Sequence, residues 1–445
     1  VDRDSHRIVL MSGASARVHI IGAGMAGLAA AVRLRHLGSA LTMYESAPRA
    51  GGRCRSYHDP QLDCVIDNGN HLLMSGNTAA MAYLDEIGAR GKLAGPDEAA
   101  FPFVDVATGA RWTVQPGKGV IPWWIFNRDR RVPETKISDY LSAFRLLNAN
   151  SANTVADCVG TSGPLYQKFW EPLTIGAINT APAQASAQLM RPVLTETFLR
   201  GADACRPLIA RVSLADTLVD PAIETLKASG VAVRFGTRVR ALGFADNILT
   251  SLDIDGAQIA VSADDLVILA VPPWIAETLL PNLSVPPAGE PIVNVHYRLP
   301  QSVTAVGAVR IVGVIGGLAQ WVFARGDLVS VTISAAAAVV DDTAEAIASV
   351  CWRDVALALS LEAGSEPPSR VVKERRATFA QTPQTQGLRP SPTTSTANLL
   401  LAGDWTATGL PATIEGALRS GFVAAALAAR RLSLPSQTSL TNRAA

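Results

Sequence analysis

Three glycines in GxGxxG spacing, Gly22, Gly24 and Gly27, stand in "IIGAGMAGLAA" directly after the β-type run "VHII" and open an Ala/Leu-rich helix. Each glycine has a physical reason in a dinucleotide turn. The first permits the tight turn, the second lets backbone approach a pyrophosphate, and the third lets helix and strand pack closely. The free N–H groups at the helix start, through Ala23, Met25 and Ala26, suit an anion. Glu45, with Ser46 beside it, closes the next β run "LTMYE", where a carboxylate accepts from ribose hydroxyls. The alternative, a small-residue packing contact, explains the glycines but not the carboxylate.

Further along, His71 in "VIDNGNHLLMSG" is the sharpest single residue, because an imidazole can give or take a proton near neutral pH. A hydrogen-bonded positioning histidine is the plainer alternative. Glu171 in "FWEPL" is a second candidate acid, though a Trp-Glu-Pro turn also serves as a helix cap. Trp123, Trp124, Trp170 and Trp321 could stack along a polyene or cation, yet tryptophans in apolar sequence more often build core.

Bulk composition narrows the rest. With 48% apolar and 17% charged residues the chain reads as a well-buried globular protein of two domains. Lys plus Arg at 39 against Asp plus Glu at 38 leaves no basic field, so no nucleic-acid partner is expected. Cys54, Cys64, Cys158, Cys205 and Cys351 lack metal or disulfide spacing, so no metal site is expected and a cytoplasmic protein is. Neither a membrane-spanning run, nor a signal peptide, nor an amphipathic docking helix stands out.

The elements that must position these residues alternate along the chain. After an N-terminal extension (1–15), nucleotide-domain patterns occupy 16–77, 209–285 and 393–436. A helical insertion is expected at 78–208 and a substrate-domain sheet with one helix, around Ala344–Leu361, at 286–392. The end, 437–445, reads as a flexible tail. The expected class is α/β: a Rossmann-like FAD-binding domain carrying an inserted α+β substrate domain.

The cofactor in that expectation comes from a resemblance. "ESAPRAGGRCRS", with Gly51, Gly52 and Arg53 soon after Glu45, resembles the extended signature of the FAD-dependent amine oxidases, protoporphyrinogen oxidases and carotenoid desaturases, and implies that these residues meet the diphosphate. On the same resemblance Asn68, Gly69, Asn70 and His71 run past the isoalloxazine ring, and Val239 in "VAVRFGTRV" contacts adenine. In "LLLAGDWTATGLPATIEGALRSG", Gly403 and Asp404 fall at the diphosphate and ribityl chain, and Thr413 and Ile414 at the flavin N1 and O2. A helix start there would stabilise the negative charge of a reduced flavin.

Thr413 stands where amine oxidases commonly carry a tyrosine, which favours an isoprenoid over an amine. "DNGNHLLMSG", "FWEPLTIGAINTAPAQASAQLM" and "AQWVFARG" together are similar to the hydroxysqualene dehydroxylases, the squalene-associated FAD-dependent desaturases of hopanoid-making bacteria. One departure is Asn70, where that family often has glutamine. The resemblance implies that hydride from reduced flavin N5 replaces an allylic hydroxyl of hydroxysqualene, with His71 and Glu171 as candidate acids. A carotenoid-type desaturase and an amine or porphyrinogen oxidase are the competing enzymes, and a flavin-binding lipid carrier the competing non-enzyme. No second dinucleotide motif identifies an electron donor. A long-chain isoprenoid substrate also implies peripheral contact with the inner face of the membrane.

Overall fold

The computed structural model describes residues 16–362 and 364–433; the expected N-terminal extension and C-terminal tail lie outside the described residues. A parallel sheet of five strands forms one layer, in the order Ala232–Arg234, Leu41–Tyr44, Val18–Ile21, Leu266–Leu269, Leu399–Leu401. Val18 pairs with Leu41 on one side and Leu266 on the other. "VHII" and "LVIL" lack polar alternation because both faces of such a sheet are covered, and every residue of the two strands is buried. His19, the polar member, is bonded to the Tyr44 hydroxyl at 3.1 Å.

Helices Met25–Leu34 and Ile414–Leu432, from opposite ends of the chain, pack against each other beside this sheet. Small residues make the approach possible: a side chain at Gly421 would strike the Ala26 carbonyl and the Ala29 methyl. Helix Thr78–Glu86 joins the same core through Ala79, Ala80, Tyr83 and Leu84. The Glu415 carboxylate accepts from the N–H groups of Ala79 and Ala80 at 2.9 and 2.8 Å, capping that helix from the terminal one.

The second layer is a seven-stranded sheet in the order Ser369–Glu374, Ile292–Arg298, Leu328–Ile333, Trp321–Arg325, Val309–Ile315, Phe101–Asp105, Arg111–Val114. Helix Ala344–Leu359 covers one face through Ile347, Cys351 and Val355, and the Tyr297 hydroxyl donates to the Ala348 carbonyl at 2.6 Å. Strand alternation turns Phe101, Phe103, Trp321 and Phe323 to the other side, toward a cavity. Helices Glu171–Ile178 and Ala187–Glu196 close that side.

The expectation of a helical insertion over 78–208 is corrected at two places. Its first helix belongs to the nucleotide core, and "FPFVD" and "RWTV" are strands of the substrate sheet, Phe101–Asp105 running parallel to Val309–Ile315. Both runs are too short, one interrupted by Pro102, for alternation to show against the helical sequence around them.

Candidate functional site

A cavity of about 930 Å³ runs between the two layers and is lined by residues from all the chain segments discussed above. Its construction begins at the glycine turn. Gly22 has φ +104°, and a Cβ there would strike the Ala270 carbonyl. At Gly27 a Cβ would strike the Gly22 carbonyl, whereas one at Gly24 would meet nothing within 4 Å. The first and third glycines are therefore demanded by protein packing, and the second faces open space. Gly24 also caps helix Met25–Leu34 without a side chain, leaving its first-turn N–H groups to whatever fills the cavity. Behind the turn, the Glu45 carboxylate accepts from Ala23 N and Ala47 N, both at 2.8 Å.

Gly51 and Gly52 come down on this turn. Gly51 N donates to the Ala23 carbonyl at 2.8 Å, and Gly51 and Gly52 adopt φ +107° and +56°, which glycine alone takes up cheaply. Arg53 forks onto Asp404, with one guanidinium nitrogen 2.8 and 2.7 Å from the two carboxylate oxygens, and also donates to the Ala377 carbonyl. Burial alone would lower the Arg53 pKa, but the Asp404 carboxylate more than offsets it and raises the value. The second glycine motif and the last strand's exit loop are thus tied together across 351 residues of sequence.

The terminal helix begins at the same cavity. Thr413 caps it, its Oγ1 accepting from Gly416 N at 3.1 Å, and Thr413 and Ile414 both line the space. At the far end Val239 sits with Arg238, Arg240 and Trp274, and Arg376 holds its guanidinium 5.1 Å from the Trp274 ring centre. The opposite end is apolar: Phe101, Phe103, Phe169, Leu173, Val193, Phe198, Trp321 and Phe323. Gly176 lets helix Glu171–Ile178 come close to Trp321, since a Cβ would lie 3.1 Å from the indole nitrogen. Glu196, the carboxylate on that wall, is held by Arg419 at 3.0 and 2.8 Å.

The turn carrying His71 lies between the two ends. Asn70 Nδ2 donates to Thr332 Oγ1 at 3.1 Å, to the Val331 carbonyl at 3.2 Å and to Asn294 Oδ1 at 3.4 Å. Asn294 Nδ2 lies 3.2 Å from where a Cβ at Gly69 would stand. Asn68 donates to Glu374 at 3.3 Å. His71 and Asn70 line the cavity; burial drives the His71 pKa down to about 4, with Asp67 pulling it up and Arg53 pushing it further down. At neutral pH the imidazole is uncharged.

Of the residues singled out from sequence, Gly22, Gly24, Met25, Ala26, Glu45, Ser46, Gly51, Gly52, Arg53, Asn70, His71, Val239, Gly403, Asp404, Thr413 and Ile414 line the cavity. Ala23, Gly27, Asn68 and Gly69 support it from behind. Glu171 is a correction: the cavity is lined by Pro172, Leu173, Gly176 and Ala177 of its helix, while the Glu171 carboxylate lies beside the Tyr166 hydroxyl. Trp124 and Trp170 are core, Trp123 is exposed, and Trp321 lines the wall. Sequence reasoning missed Asn294, Thr332, Asn179 and the phenylalanine wall. Alternation in "WVF" was the one local signal for the wall, that in "FPF" being masked by Pro102 and its short run; the asparagines carried none, because their partners are distant in sequence. Asn179, in the left-handed conformation at a helix end, donates to the Glu290 carbonyl at 2.7 Å and accepts from Ala335 N at 2.7 Å.

The family description "Flavin containing amine oxidoreductase" matches residues 25–429. A hydroxysqualene dehydroxylase of Sinorhizobium fredii is 47% identical over 92% of this chain and 98% of its own length, and one of Rhodopseudomonas palustris is 46% identical over 93% and 98%. Among solved structures, cyclohexylamine oxidase from Brevibacterium oxydans superposes with a TM-score of 0.68 over 94% of this chain and all of its own, at 15% identity, a likeness of fold alone. Matched along nearly its whole length, the chain belongs to the flavin containing amine oxidoreductases and, within them, to the hydroxysqualene dehydroxylase family.

Proposed function

We propose that the protein reduces hydroxysqualene to squalene, replacing an allylic C–OH by C–H with release of water. The reading is carried by relatives bearing that activity in their name at 40–47% identity over about 92% of the chain. The protein is an FAD-dependent oxidoreductase, and FAD is its cofactor. When bound and reduced, FAD supplies the hydride. The residues present fit such a group: Gly24 leaves open space at a helix start that no side chain caps, and Thr413 and Ile414 offer a second helix N-terminus to negative charge. In this reading Gly24, Gly51, Gly52 and Arg53 hold the diphosphate, Glu45 the ribose, and Val239 the adenine.

The aromatic wall binds the hydrocarbon and excludes water, at about 0.8 kcal/mol for each CH₂ taken out of solvent. No charged anchor is needed, and Glu196 is already committed to Arg419. The hydroxyl must leave as water, which requires one proton; His71 is the side chain assigned to deliver it. Asn70, fixed by Asn294 and Thr332, positions that turn. Each turnover consumes one reduced cofactor, so an external two-electron donor must restore it. The substrate barely dissolves in water, so it reaches the cavity from a membrane with which the protein makes peripheral contact.

The test is anaerobic mixing of the dithionite-reduced holoenzyme with hydroxysqualene. Squalene should form in step with flavin reoxidation. If the flavin stays reduced and no squalene forms, while oxidised enzyme makes peroxide from amines, the oxidase reading replaces this one.

A further inference from the structure

Among the described residues fifteen large hydrophobic side chains are exposed, and seven of them fall within residues 120–144. Val120, Ile121, Trp123 and Phe126 come from the short helical turn Trp123–Phe126 and the chain entering it. Ile137, Leu141 and Phe144 recur at i, i+4 and i+7 along the turn Ile137–Leu141 and the helix Ser142–Leu147 that continues it. This second segment is apolar on two sides. Ser142 and Leu146 point inward to the core, while Leu141 and Phe144, 60% and 62% exposed, point out to solvent.

The outward face is firmly mounted. Trp124 meets the Tyr140 ring edge-on at 5.8 Å, and the Trp170 indole donates to Ser142 at 3.2 Å. Outside, Trp123 and Phe126 stand with ring centres 5.8 Å apart. The core cluster on which the patch rests also contains Phe101, Phe103 and Phe169, whose inner sides form the apolar wall of the cavity. Residues 118–145 carry six Lys or Arg against three Asp or Glu, a net +3 in a chain whose total is +1. Lys118, Arg128, Lys136 and Arg145 are exposed around the apolar residues against the exposed acids Asp129 and Glu134, the latter paired with Lys168.

We infer that residues 118–145 are a docking surface for a bilayer containing anionic lipid, which seats the apolar end of the cavity against the membrane. Charge decides between this occupant and a second copy of the chain. A two-fold dimer would bring one +3 patch onto another, whereas an anionic surface offers the opposite sign to the basic rim and a hydrocarbon layer to the apolar centre. The inference rests on the isoprenoid reading only for its purpose; the patch and its charge stand without it.

The test is sedimentation of FAD-loaded protein, without substrate, with phosphatidylcholine vesicles that contain or lack phosphatidylglycerol. The wild type should pellet with the anionic vesicles and be released by salt. The triple variant Trp123→Ser, Leu141→Ser, Phe144→Ser should bind at least about a hundredfold more weakly, given the apolar area removed, while keeping its flavin absorbance. Because that variant removes much surface, Lys136→Glu with Arg145→Glu provides a second one that leaves the apolar face intact, and it should also stay in the supernatant. The inference is overturned if wild type ignores every vesicle, if either variant pellets as well as wild type, or if wild type elutes as a dimer that the triple variant dissolves. Turnover of micelle-dispersed hydroxysqualene, measured in parallel, reports on the reaction independently of docking.

Discussion

Lowering the pH should speed the reduction of substrate, and His71→Gln should remove that dependence. Burial holds the His71 pKa at about 4 against an ordinary 6.5. At pH 7 the imidazolium is then about one part in a thousand of the protein, and its population grows about tenfold for each pH unit lost until the pKa is reached. If this group delivers the proton that lets the hydroxyl leave, kcat/KM rises about a hundredfold from pH 8 to pH 6. Negative charge brought into the cavity shifts the break to higher pH and leaves the slope above it unchanged. The assay is anaerobic stopped flow with pre-reduced enzyme at subsaturating hydroxysqualene, following flavin reoxidation. His71→Gln keeps a hydrogen-bonding side chain but no titratable proton, so its profile should be flat and should lie below wild type most clearly at pH 6. A flat wild-type profile, or a slope that persists in His71→Gln, would refute the assignment of the proton to this residue.

Glycine substitutions should separate packing from binding: Gly27→Ala forces a methyl onto the Gly22 carbonyl and should lower stability by about 1–3 kcal/mol or more in thermal melts, whereas Gly24→Val has room, should melt normally without cofactor, and should bind FAD far more weakly on titration. Arg53→Met strands the Asp404 carboxylate, 7% exposed; urea unfolding should show a loss of about 2 kcal/mol, below the value for a fully buried pair because the guanidinium is partly open, and Asp404→Asn added to it should recover part of that loss. His19 and His296, both buried, have pKa values lowered to about 4 by desolvation. The unfolded chain takes up their protons first, so the stability they allow is complete above pH 6.5 and is lost as pH falls toward 4. By pH 5 each costs about 2 kcal/mol, and the pH dependence of urea unfolding should shrink by that amount in His296→Gln.

Local sequence carried most of the nucleotide layer because its determinants are local. The GxGxxG turn, the apolar strands and the Ala-rich first helix are each specified by residues within a few positions of one another, and Gly22 and Gly27 are glycines for steric reasons that spacing alone expresses. The substrate layer was less legible. Phe101–Asp105 forms a hairpin with Arg111–Val114, but it joins the seven-stranded sheet only through Val309–Ile315, some 200 residues later, and nothing within "FPFVD" announces that second partner. Asn294 illustrates the same limit at the site. It is one residue of a seven-residue strand, and it matters because Thr332 and Asn70 meet on its Oδ1.

Residues 137–147 failed to read as an amphipathic docking helix for a different reason. An apolar stripe is recognised by contrast with a polar face, and here both faces are apolar, one built into the core by Leu146 and one left outside by Leu141 and Phe144. Two apolar faces on one short segment ordinarily mean complete burial. No docking helix therefore stands out in the sequence, and only the fold shows that one face has nothing to bury it. Placement gives this face its meaning: the same cluster of aromatic side chains is cavity wall on one side and support for the patch on the other. On the docking inferred above, placing the two surfaces back to back shortens the path of a water-insoluble chain from bilayer to cavity. Cutting the contact at Leu141 and Phe144 should then slow turnover from vesicles while leaving turnover from micelles intact, a split that damage to the cavity itself would not produce.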